Sequence, residues 1–225
     1  MADYDERDIT GEFTMPADLA EAMIALAAPR PDFRVLVVEL RSVMTSLLAA
    51  EGFNVISVRS DLPLQEQFNQ IAVHAPYDVV ILGPIFNAQQ PEIPHLPAWD
   101  LGKRASEDWL IAYTLDSMKP TGRLAALVPN GLLSNYSRVG IRKGLIKRGL
   151  SLVATMPSSS SLNLFSISSI GLVLVERSNI APGRSITFLS FRESNDLAPL
   201  HRWMQDAPTK RLPCARAGTL PQETC

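Results

Sequence analysis

One apolar run of the chain reads Tyr77-Asp78-Val79-Val80-Ile81-Leu82-Gly83-Pro84-Ile85-Phe86-Asn87. An uninterrupted apolar run of this length is typical of a parallel strand that is buried on both faces. The glycine-proline pair after Leu82 ends the strand abruptly in a loop. That loop follows the carboxyl end of the strand, where open α/β sheets place their active sites. We therefore expect functional residues in and just after this segment.

The composition is that of an ordinary folded domain without a strong overall charge. Of the 225 residues, 46% are hydrophobic and 20% are charged, which is enough apolar material for one buried core. The formal net charge of -2 and the pI of about 5.9 give no global attraction to nucleic acid. DNA binding would have to be local or supplied by a partner.

Cysteine and histidine usage indicates neither disulfides in the core nor a metal site. Cys214 and Cys225 lie in a polar C-terminal segment, which suits the reducing cytoplasm. His95 has no Cys, His or carboxylate at ligand spacing around it, so no metal is expected. We find no signal peptide at the start of the chain and no apolar span of transmembrane length. These features predict a cytoplasmic protein without a membrane segment.

Strand and helix patterns alternate before the quoted run, which predicts a parallel α/β sheet with crossover connections. The predicted order is a strand over Phe33–Glu39, a helix over Ser42–Glu51, a strand over Asn54–Val58, a helix over Leu64–Ala72 and then the Tyr77 strand. Downstream, the patterns predict a helix over Ala105–Met118, a strand over Leu124–Pro129, a basic helix over Ile141–Gly149 and strands over Leu152–Thr155, Ile170–Glu176 and Ile186–Phe191.

The two ends of the chain differ from this pattern. Residues 1–10 are a short acidic segment and are expected to form a flexible N-terminus. An alanine-rich helix over Ala17–Ala28 follows, with Thr14 predicted as its N-cap. Residues 11–195 are assigned to one domain. Residues 196–225 are rich in proline and predict one weak helix around Leu200–Met204 followed by a tail.

The segment from Asp78 to Phe86 resembles the hallmark motif of adenine-N6 DNA methyltransferases, Asp and two hydrophobic residues followed by Asn/Asp-Pro-Pro-Tyr/Phe. In that family the polar residue and the next backbone carbonyl accept hydrogen bonds from the target amine, and the aromatic ring stacks on a flipped-out base. By this resemblance the catalytic motif here is Gly83, Pro84, Ile85 and Phe86. The polar acceptor and the second proline are absent.

The second half of the chain is similar to the modification subunits of type I restriction systems. The similarity rests on motifs in the same order: Ala105-Ser106-Glu107-Asp108-Trp109, Leu115 to Gly122, Leu124 to Gly131, Ile141-Arg142-Lys143 and Met156-Pro157. The resemblance covers about half of the chain. It implies a class I S-adenosylmethionine-dependent methyltransferase-like, Rossmann-like sheet, mostly parallel with an antiparallel edge. One strand-helix unit ahead of Tyr77 is expected to be missing.

The cofactor motifs of the family are incomplete. Gly11-Glu12-Phe13-Thr14-Met15-Pro16 resembles a Gly-x-Phe/Tyr-x-Thr-Pro segment that helps to close over S-adenosylmethionine, but Met15 separates Thr14 from Pro16. The family also places Asp-Pro-x-x-Gly-x-Gly after its first strand, because only glycine lets the backbone approach the cofactor closely. No glycine occurs between Ala28 and Gly52.

Two alignments explain the missing glycine turn. In the first, Val35–Val38 is the family's first strand and its cofactor loop is degenerate. In the second, the chain passes from the start of the first strand to the end of the second, so that Glu39 is the acid that binds the ribose hydroxyls and Asp61 the acid beside the adenine. The order of acid, helix, strand and acid favours the second alignment. Both acids also fit a simpler interpretation as charges at helix N-termini or strand ends.

Nucleic-acid contacts are predicted at three positions. Trp99, in a proline-rich loop, is a candidate for stacking on a base, and Arg142 and Lys143 are candidates for phosphate contacts. The alternative interpretation is packing of the loop for Trp99 and a solvated helix face for the two cations.

The sequence therefore predicts a degenerate methyltransferase-like domain. Gly83 has no side chain to accept a hydrogen bond, and loss of one such partner typically costs about a hundredfold to a thousandfold in rate. We expect a noncatalytic subunit or scaffold of a DNA modification, restriction or phage-defence complex. S-Adenosylmethionine binding would be weak or absent. The partner would be a methyltransferase or restriction-type subunit, and DNA would be contacted directly or through it. One alternative is an active, atypical adenine-N6 methyltransferase in which Asn87 or Asn130 replaces the acceptor, and another is a truncated relic.

Overall fold

The computed structural model describes residues 15–83, 99, 101, 106–157, 169–177, 185–191, 197–206 and 218–221. The helices in these residues are Ala17–Ala27 (α1), Val43–Ala50 (α2), Leu64–His74 (α3), Ser106–Asp116 (α4), Asn130–Ser134 (α5), Val139–Lys147 (α6) and Ala198–Asp206 (α7). The strands are Val35–Glu39 (β1), Val55–Arg59 (β2), Tyr77–Leu82 (β3), Met118–Pro129 (β4), Leu150–Pro157 (β5), Ser169–Glu176 (β6), Ser185–Ser190 (β7) and Gly218–Pro221 (β8). Tyr136–Arg138 forms a 3-10 turn before α6.

The described strands form one sheet in the order β2-β1-β3-β4-β6-β5-β7-β8. β1 pairs in parallel with β2 and β3, and β3 pairs in parallel with β4. β6 runs antiparallel between β4 and β5. β5 and β7 are parallel, and β8 is antiparallel to β7. The prediction of a mostly parallel sheet with an antiparallel edge is therefore confirmed, and two strands precede Tyr77 in the chain, as predicted.

Two apolar cores cover the two faces of the sheet, because successive side chains of a strand point to opposite faces. In β1, Val35 and Val37 belong to the core under α1, α2 and α7, whereas Leu36 and Val38 belong to the core under α3, α4 and α6. All five residues of β1 are buried. This explains why the central strands have continuous apolar sequences with no polar alternation.

The start of α1 differs from the prediction. The N-cap is Pro16, whose backbone is extended, and the helix begins at Ala17. The side chain of Pro16 makes no capping hydrogen bond. The prediction of Thr14 as the N-cap was therefore wrong, and Thr14 itself lies outside the described residues. Proline suits this position because the first helical turn leaves backbone N–H groups without intrahelical partners, and proline has no N–H to leave unpaired.

β4 begins at Met118, earlier than the predicted start at Leu124. Met118 pairs with Tyr77, and the register shifts before Arg123 pairs with Val79. Gly122 permits this irregular approach, since a Cβ there would lie 2.9 Å from Cε of Met118 and 3.2 Å from the carbonyl oxygen of Asp78. The proline and glycine that suggested a loop thus form the irregular first part of a strand.

The C-terminal residues contribute more to the fold than the predicted weak helix and tail. Leu200 of α7 is fully buried in the core beside α1, and Leu197 just before the helix is buried too. β8 pairs with β7 over Gly218–Pro221. Residues after 196 therefore supply one helix and one edge strand of the same sheet.

Candidate functional site at the carboxyl edge of the sheet

The carboxyl ends of β1 and β3 lie side by side and define the candidate site. Val38 is paired with Leu82, and the N–H of Gly83 donates a 2.8 Å hydrogen bond to the carbonyl oxygen of Val38. Glu39, the last residue of β1, therefore lies beside Gly83, the first residue of the expected catalytic motif. Gly83 is the part of that motif within the described residues; Pro84, Ile85, Phe86 and the alternative acceptor Asn87 lie outside them.

Two methionines occupy the space next to Gly83. A Cβ built on Gly83 would lie 3.0 Å from Cε of Met15 and 3.3 Å from Cε of Met44. Met44 is fully buried and Met15 is nearly so. The methyl end of a methionine cannot accept a hydrogen bond. A polar side chain at position 83 would thus meet two apolar methyl groups, which would have to shift by a few tenths of an ångström to admit even its Cβ.

Glu39 is buried and its carboxylate caps helix α2. Its Oε2 accepts from the backbone N–H of Met44 at 3.0 Å, and its Oε1 accepts from the backbone N–H of Thr45 at 2.8 Å. The first N–H groups of a helix have no intrahelical acceptor, and a carboxylate there also interacts favourably with the helix dipole. Of the two interpretations of this acid, the geometry matches the charge at a helix N-terminus, with each oxygen bonded to one amide.

The turn between β1 and α2 contains a strained residue. Ser42 has a φ of 42°, in the left-handed region. That conformation costs a side-chain-bearing residue about 1–2 kcal/mol and costs glycine almost nothing. The turn thus keeps a position that suits glycine but fills it with serine.

Asp61 lies after β2 and pairs with Arg59. Nε of Arg59 donates to Oδ1 of Asp61 at 2.9 Å, and Nη2 donates to Oδ2. The hydrogen bonds from the Arg59 guanidinium lower the pKa of the Asp61 carboxyl. The resemblance places the Asp61 carboxylate beside the adenine. In the structure both of its oxygens accept hydrogen bonds from Arg59.

Gln67 of α3 holds the turn that carries Asp61. Its Nε2 donates to the carbonyl oxygens of Ser60 at 3.1 Å and Leu62 at 2.7 Å. The hydroxyl of Ser60 and the Oε1 of Gln67 are buried, and within the described part of the chain neither has a hydrogen-bond partner. The shape of this turn is therefore determined by backbone carbonyls and one amide side chain.

A buried ion cluster at the same edge was not predicted from the sequence. Nη1 of Arg138 donates to Oε1 of Glu107 at 3.0 Å and to Oδ1 of Asp108 at 3.2 Å. The carboxylate side chains are 0% and 1% exposed and the arginine side chain 11%. The cluster joins the first turn of α4 to the 3-10 turn before α6. Adjacent acids in a helical first turn normally indicate dipole stabilisation in solvent, so the pattern gave no sign of burial.

Trp99 is packed between two elements. Its Nε1 donates to Oδ2 of Asp116 at 2.9 Å, and the guanidinium of Arg148 lies 3.8 Å from the ring centroid. The ring is 7% exposed and contacts helix α6 at Gly144. This geometry fits the loop-packing interpretation of Trp99.

The two predicted phosphate contacts have different surroundings. Nη1 of Arg142 donates to the carbonyl oxygens of Leu132 at 2.9 Å and Asn135 at 2.7 Å, so its guanidinium holds the turn before α6. Lys143 is exposed on the opposite side of the helix from the core. Asn130, the second alternative acceptor, begins α5 at the end of β4.

A cavity of about 670 Å³ opens elsewhere, at the amino ends of β1, β3 and β4. Its charged side chains are paired with one another, Lys119 with Asp78 and Arg123 with Glu176. This cavity lies at the edge opposite to Gly83. Among the described residues we find no cluster of His, Cys, Asp or Glu that could hold a metal ion, and no described helix is long and apolar enough to cross a membrane.

Comparison with solved structures identifies the fold. No family model and no curated protein matches the sequence. A modification subunit assigned to a type I restriction enzyme of Vibrio vulnificus YJ016 superimposes with a TM-score of 0.71 and 16% identity, over 96% of this chain and 57% of that one. The type I restriction-modification methyltransferase subunit of Streptococcus thermophilus gives a TM-score of 0.65 and 14% identity, over 95% of this chain and 56% of that one.

A third neighbour, from Listeria monocytogenes, is assigned to the class I S-adenosylmethionine-dependent methyltransferases. It gives a TM-score of 0.60 and 16% identity, over 85% of this chain and 70% of that one. The present chain spans little more than half the length of the first two neighbours. Its fold is that of the class I S-adenosylmethionine-dependent methyltransferases and is similar to the fold of type I restriction-modification subunits.

Proposed function

We propose that the chain is a methyltransferase-like subunit that does not transfer methyl groups and serves as a structural component of a DNA modification or restriction assembly in the cytoplasm. The observation that carries this proposal is the contact of Met15 and Met44 with Gly83. At the position where the resemblance places the residue that holds the target amine there is no acceptor side chain, and the methyl ends of Met15 and Met44 lie where one would project.

Methyl transfer to an amine requires groups that orient the nitrogen and accept its hydrogen bonds as charge develops. Gly83 has no acceptor, and the methyl ends beside it cannot replace one. An amine at this site would lose hydrogen bonds to water without replacement, at a cost of about 1–3 kcal/mol for each unsatisfied group.

The two described acids that the resemblance assigns to the donor are engaged in the fold as well. S-Adenosylmethionine carries ribose hydroxyls and an adenine, and the resemblance assigns Glu39 and Asp61 to them. Glu39 is bonded to two backbone amides of α2, and Asp61 is bonded to Arg59. Glu39 is buried with both of its oxygens on these amides, so its carboxylate offers little access to ribose hydroxyls, and we infer that the residues present fit S-adenosylmethionine poorly.

A structural role is supported by the intact fold. The sheet and both apolar cores bury the apolar side chains of β1 and β3. The two neighbours from restriction-modification systems are themselves subunits, and both are nearly twice as long as the matched region. A partner that provides methyl transfer or cleavage would complete the assembly.

Isothermal titration with S-adenosylmethionine tests the noncatalytic proposal. We expect no saturable heat for the wild-type chain at millimolar cofactor. Saturable heat that disappears in Glu39→Gln would contradict the proposal and support the atypical enzyme. Asp32→Asn, an exposed carboxylate at the other edge of the sheet, is the matched control for removal of one negative charge.

The partner is tested separately, by affinity purification of the full chain from its native host. Recovery of a methyltransferase or restriction subunit in a fixed stoichiometry is the expected result. Recovery of the chain alone, under conditions that preserve other complexes of the host, would contradict a structural role.

A further inference from the structure

Positive charge is concentrated in one continuous part of the chain. Residues 117–175 contain no Asp or Glu, although the whole chain has 23 acidic residues and a net charge of -2. The same segment contains seven cations, which are Lys119, Arg123, Arg138, Arg142, Lys143, Lys147 and Arg148. Any partners for these cations within the described chain must therefore come from other segments or from backbone carbonyls.

Five of the seven cations are engaged in the fold. Four of them form ion pairs: Lys119 with Asp78, Arg123 with Glu176, Arg138 with Glu107 and Asp108, and Arg148 with Asp116. The fifth, Arg142, donates hydrogen bonds to two backbone carbonyls. Lys143 and Lys147 are exposed, and they form no ion pair with any residue that the structure describes. Among the residues that the structure describes, these two ammonium groups are the cations of the segment without an ion-pair partner, and both are accessible to an external ligand.

Both lysines lie on one face of α6 together with Val139, and the exposed Tyr136 lies in the 3-10 turn just before the helix. Val139, Lys143 and Lys147 are spaced four residues apart, which places them in a row along the helix. Tyr136, three residues before Val139, is 87% exposed, and Val139 is 36% exposed. We call Tyr136, Val139, Lys143 and Lys147 the α6 stripe. The α6 stripe begins in the 3-10 turn that follows α5.

We propose that the α6 stripe binds single-stranded DNA, with the lysines on the phosphates and Tyr136 stacked on a base. Lysine is depleted in protein–protein interfaces, whereas aromatic, methionine and arginine side chains are enriched there. Tyr136 fits either kind of partner, but the stripe has two lysines and no large apolar patch, so its charged part suits phosphate better than a protein surface. Exposed aromatic rings beside cations are the usual platform for unpaired bases.

The single strand is favoured over a duplex because of Tyr136. Its ring is almost fully exposed, and a base face is accessible to it only where the base is unpaired. The choice of DNA over RNA rests on the proposed function in a DNA modification assembly. Arg142 acts here as a positioning residue, because its bonds to Leu132 and Asn135 fix the turn that presents Tyr136.

The test is fluorescence anisotropy of a labelled oligothymidine with the full chain, measured over a series of salt concentrations. Each lysine that contacts a phosphate contributes about 0.7 to the slope of log K against log salt on single strands. We expect Lys143→Gln and Lys147→Gln each to lower the slope by about that amount. Tyr136→Ala should weaken binding by about fivefold or more at every salt concentration, since stacking does not depend on counterions.

Arg202→Gln is the matched control. Arg202 is exposed on α7, which covers the other face of the sheet, and its one described bond is to a carbonyl of its own helix. Its substitution removes the same charge and should leave the slope unchanged. A slope that changes equally in Arg202→Gln would mean diffuse attraction and overturn the proposal.

Absence of binding at low salt, or displacement of the oligothymidine by polyglutamate at equal charge, would also overturn the proposal. So would an equal affinity for a duplex with no effect of Tyr136→Ala. Tighter binding of oligouridine than of oligothymidine would overturn the choice of DNA. Cofactor titration separates this proposal from the proposed function. Saturable S-adenosylmethionine heat together with stripe-dependent DNA binding would refute the noncatalytic role and leave the stripe in place.

Discussion

The ring of Trp99 lies directly on Gly144, so close that a Cβ on the glycine would be 2.1 Å from Cζ3 of the indole. This contact, together with the bond from Trp99 to Asp116, attaches Trp99 to helix α6 and to the end of α4. A glycine in the middle of a helix costs about 1 kcal/mol relative to alanine. A glycine is needed at position 144 because the indole of Trp99 occupies the space where a side chain would lie.

We expect Gly144→Ala to destabilise the protein by about 1–3 kcal/mol, although alanine is the better helix former, because the indole must move out of its site. Gly131→Ala in α5 is the control, since its Cβ would meet no atom within 4 Å. Urea unfolding gives both free energies, and near-ultraviolet circular dichroism reports the movement of the indole. Equal stability of wild type and Gly144→Ala would mean that Trp99 is not held against α6.

Polar substitution at Gly83 should reveal the two methionines beside it. Gly83→Asn is expected to cost about 1–3 kcal/mol, because the new side chain must displace Cε of Met15 and Met44. In Met44→Ala the same substitution should cost less, giving a coupling energy of about 0.5 kcal/mol or more in a double-mutant cycle. Gly131→Asn serves as the open-site control. Strict additivity of Gly83→Asn and Met44→Ala would contradict the packing on which the proposed function rests.

Removal of Arg138 should be among the most destabilising single substitutions on this chain. Arg138→Gln takes a cation from two carboxylates that are 0% and 1% exposed, and breaking such a buried pair costs about 3–5 kcal/mol. Arg123→Gln breaks a more exposed pair with Glu176 and should cost about 1 kcal/mol or less. Chemical denaturation of the two variants gives the ranking. A smaller loss in Arg138→Gln than in Arg123→Gln would show that the cluster is not formed in solution.

The carboxyl of Asp78 should make stability depend on pH in the acidic range. Burial raises its pKa, but hydrogen bonds from Nζ of Lys119 and the backbone N–H of Arg34 outweigh this, so that its pKa lies below the ordinary 3.8. A carboxyl whose pKa is lowered by folding binds fewer protons when folded than when unfolded. Its stabilisation is therefore complete above about pH 4 and is lost as the pH falls through the folded value.

Asp78→Asn should therefore be less stable than wild type at pH 7, by about 1–2 kcal/mol, with a difference that shrinks below pH 4. Asp32→Asn, whose carboxylate is 75% exposed and 3.7 Å from Arg30, should show little difference at either pH. Thermal unfolding at several pH values measures both. A constant difference between Asp78→Asn and wild type across this range would refute the assigned pKa direction.

Much of the fold was predictable because local pattern and burial agree. The strands β1 and β3 are apolar at every buried position except the terminal Glu39, and Glu39 and Gly83 mark their ends in the sequence. The start of β4 was missed because Pro120 and Gly122 are loop residues by local chemistry, and only the pairing with Tyr77 makes the segment a strand. The edge strand β8 has no periodic pattern of its own and depends on β7 for its assignment.

The α/β class and the order of β1, α2, β2, α3 and β3 follow from the sequence alone, because apolar periodicity and residue identity are local properties. The tertiary structure decided which side chains lie beside Gly83 and which charges are used internally. Met15, Met44 and Gly83 are distant in sequence, as are Arg138 and Glu107, and only the packing of the sheet brings them into contact. Long-range packing and burial determine which polar groups remain available, and no local pattern records them.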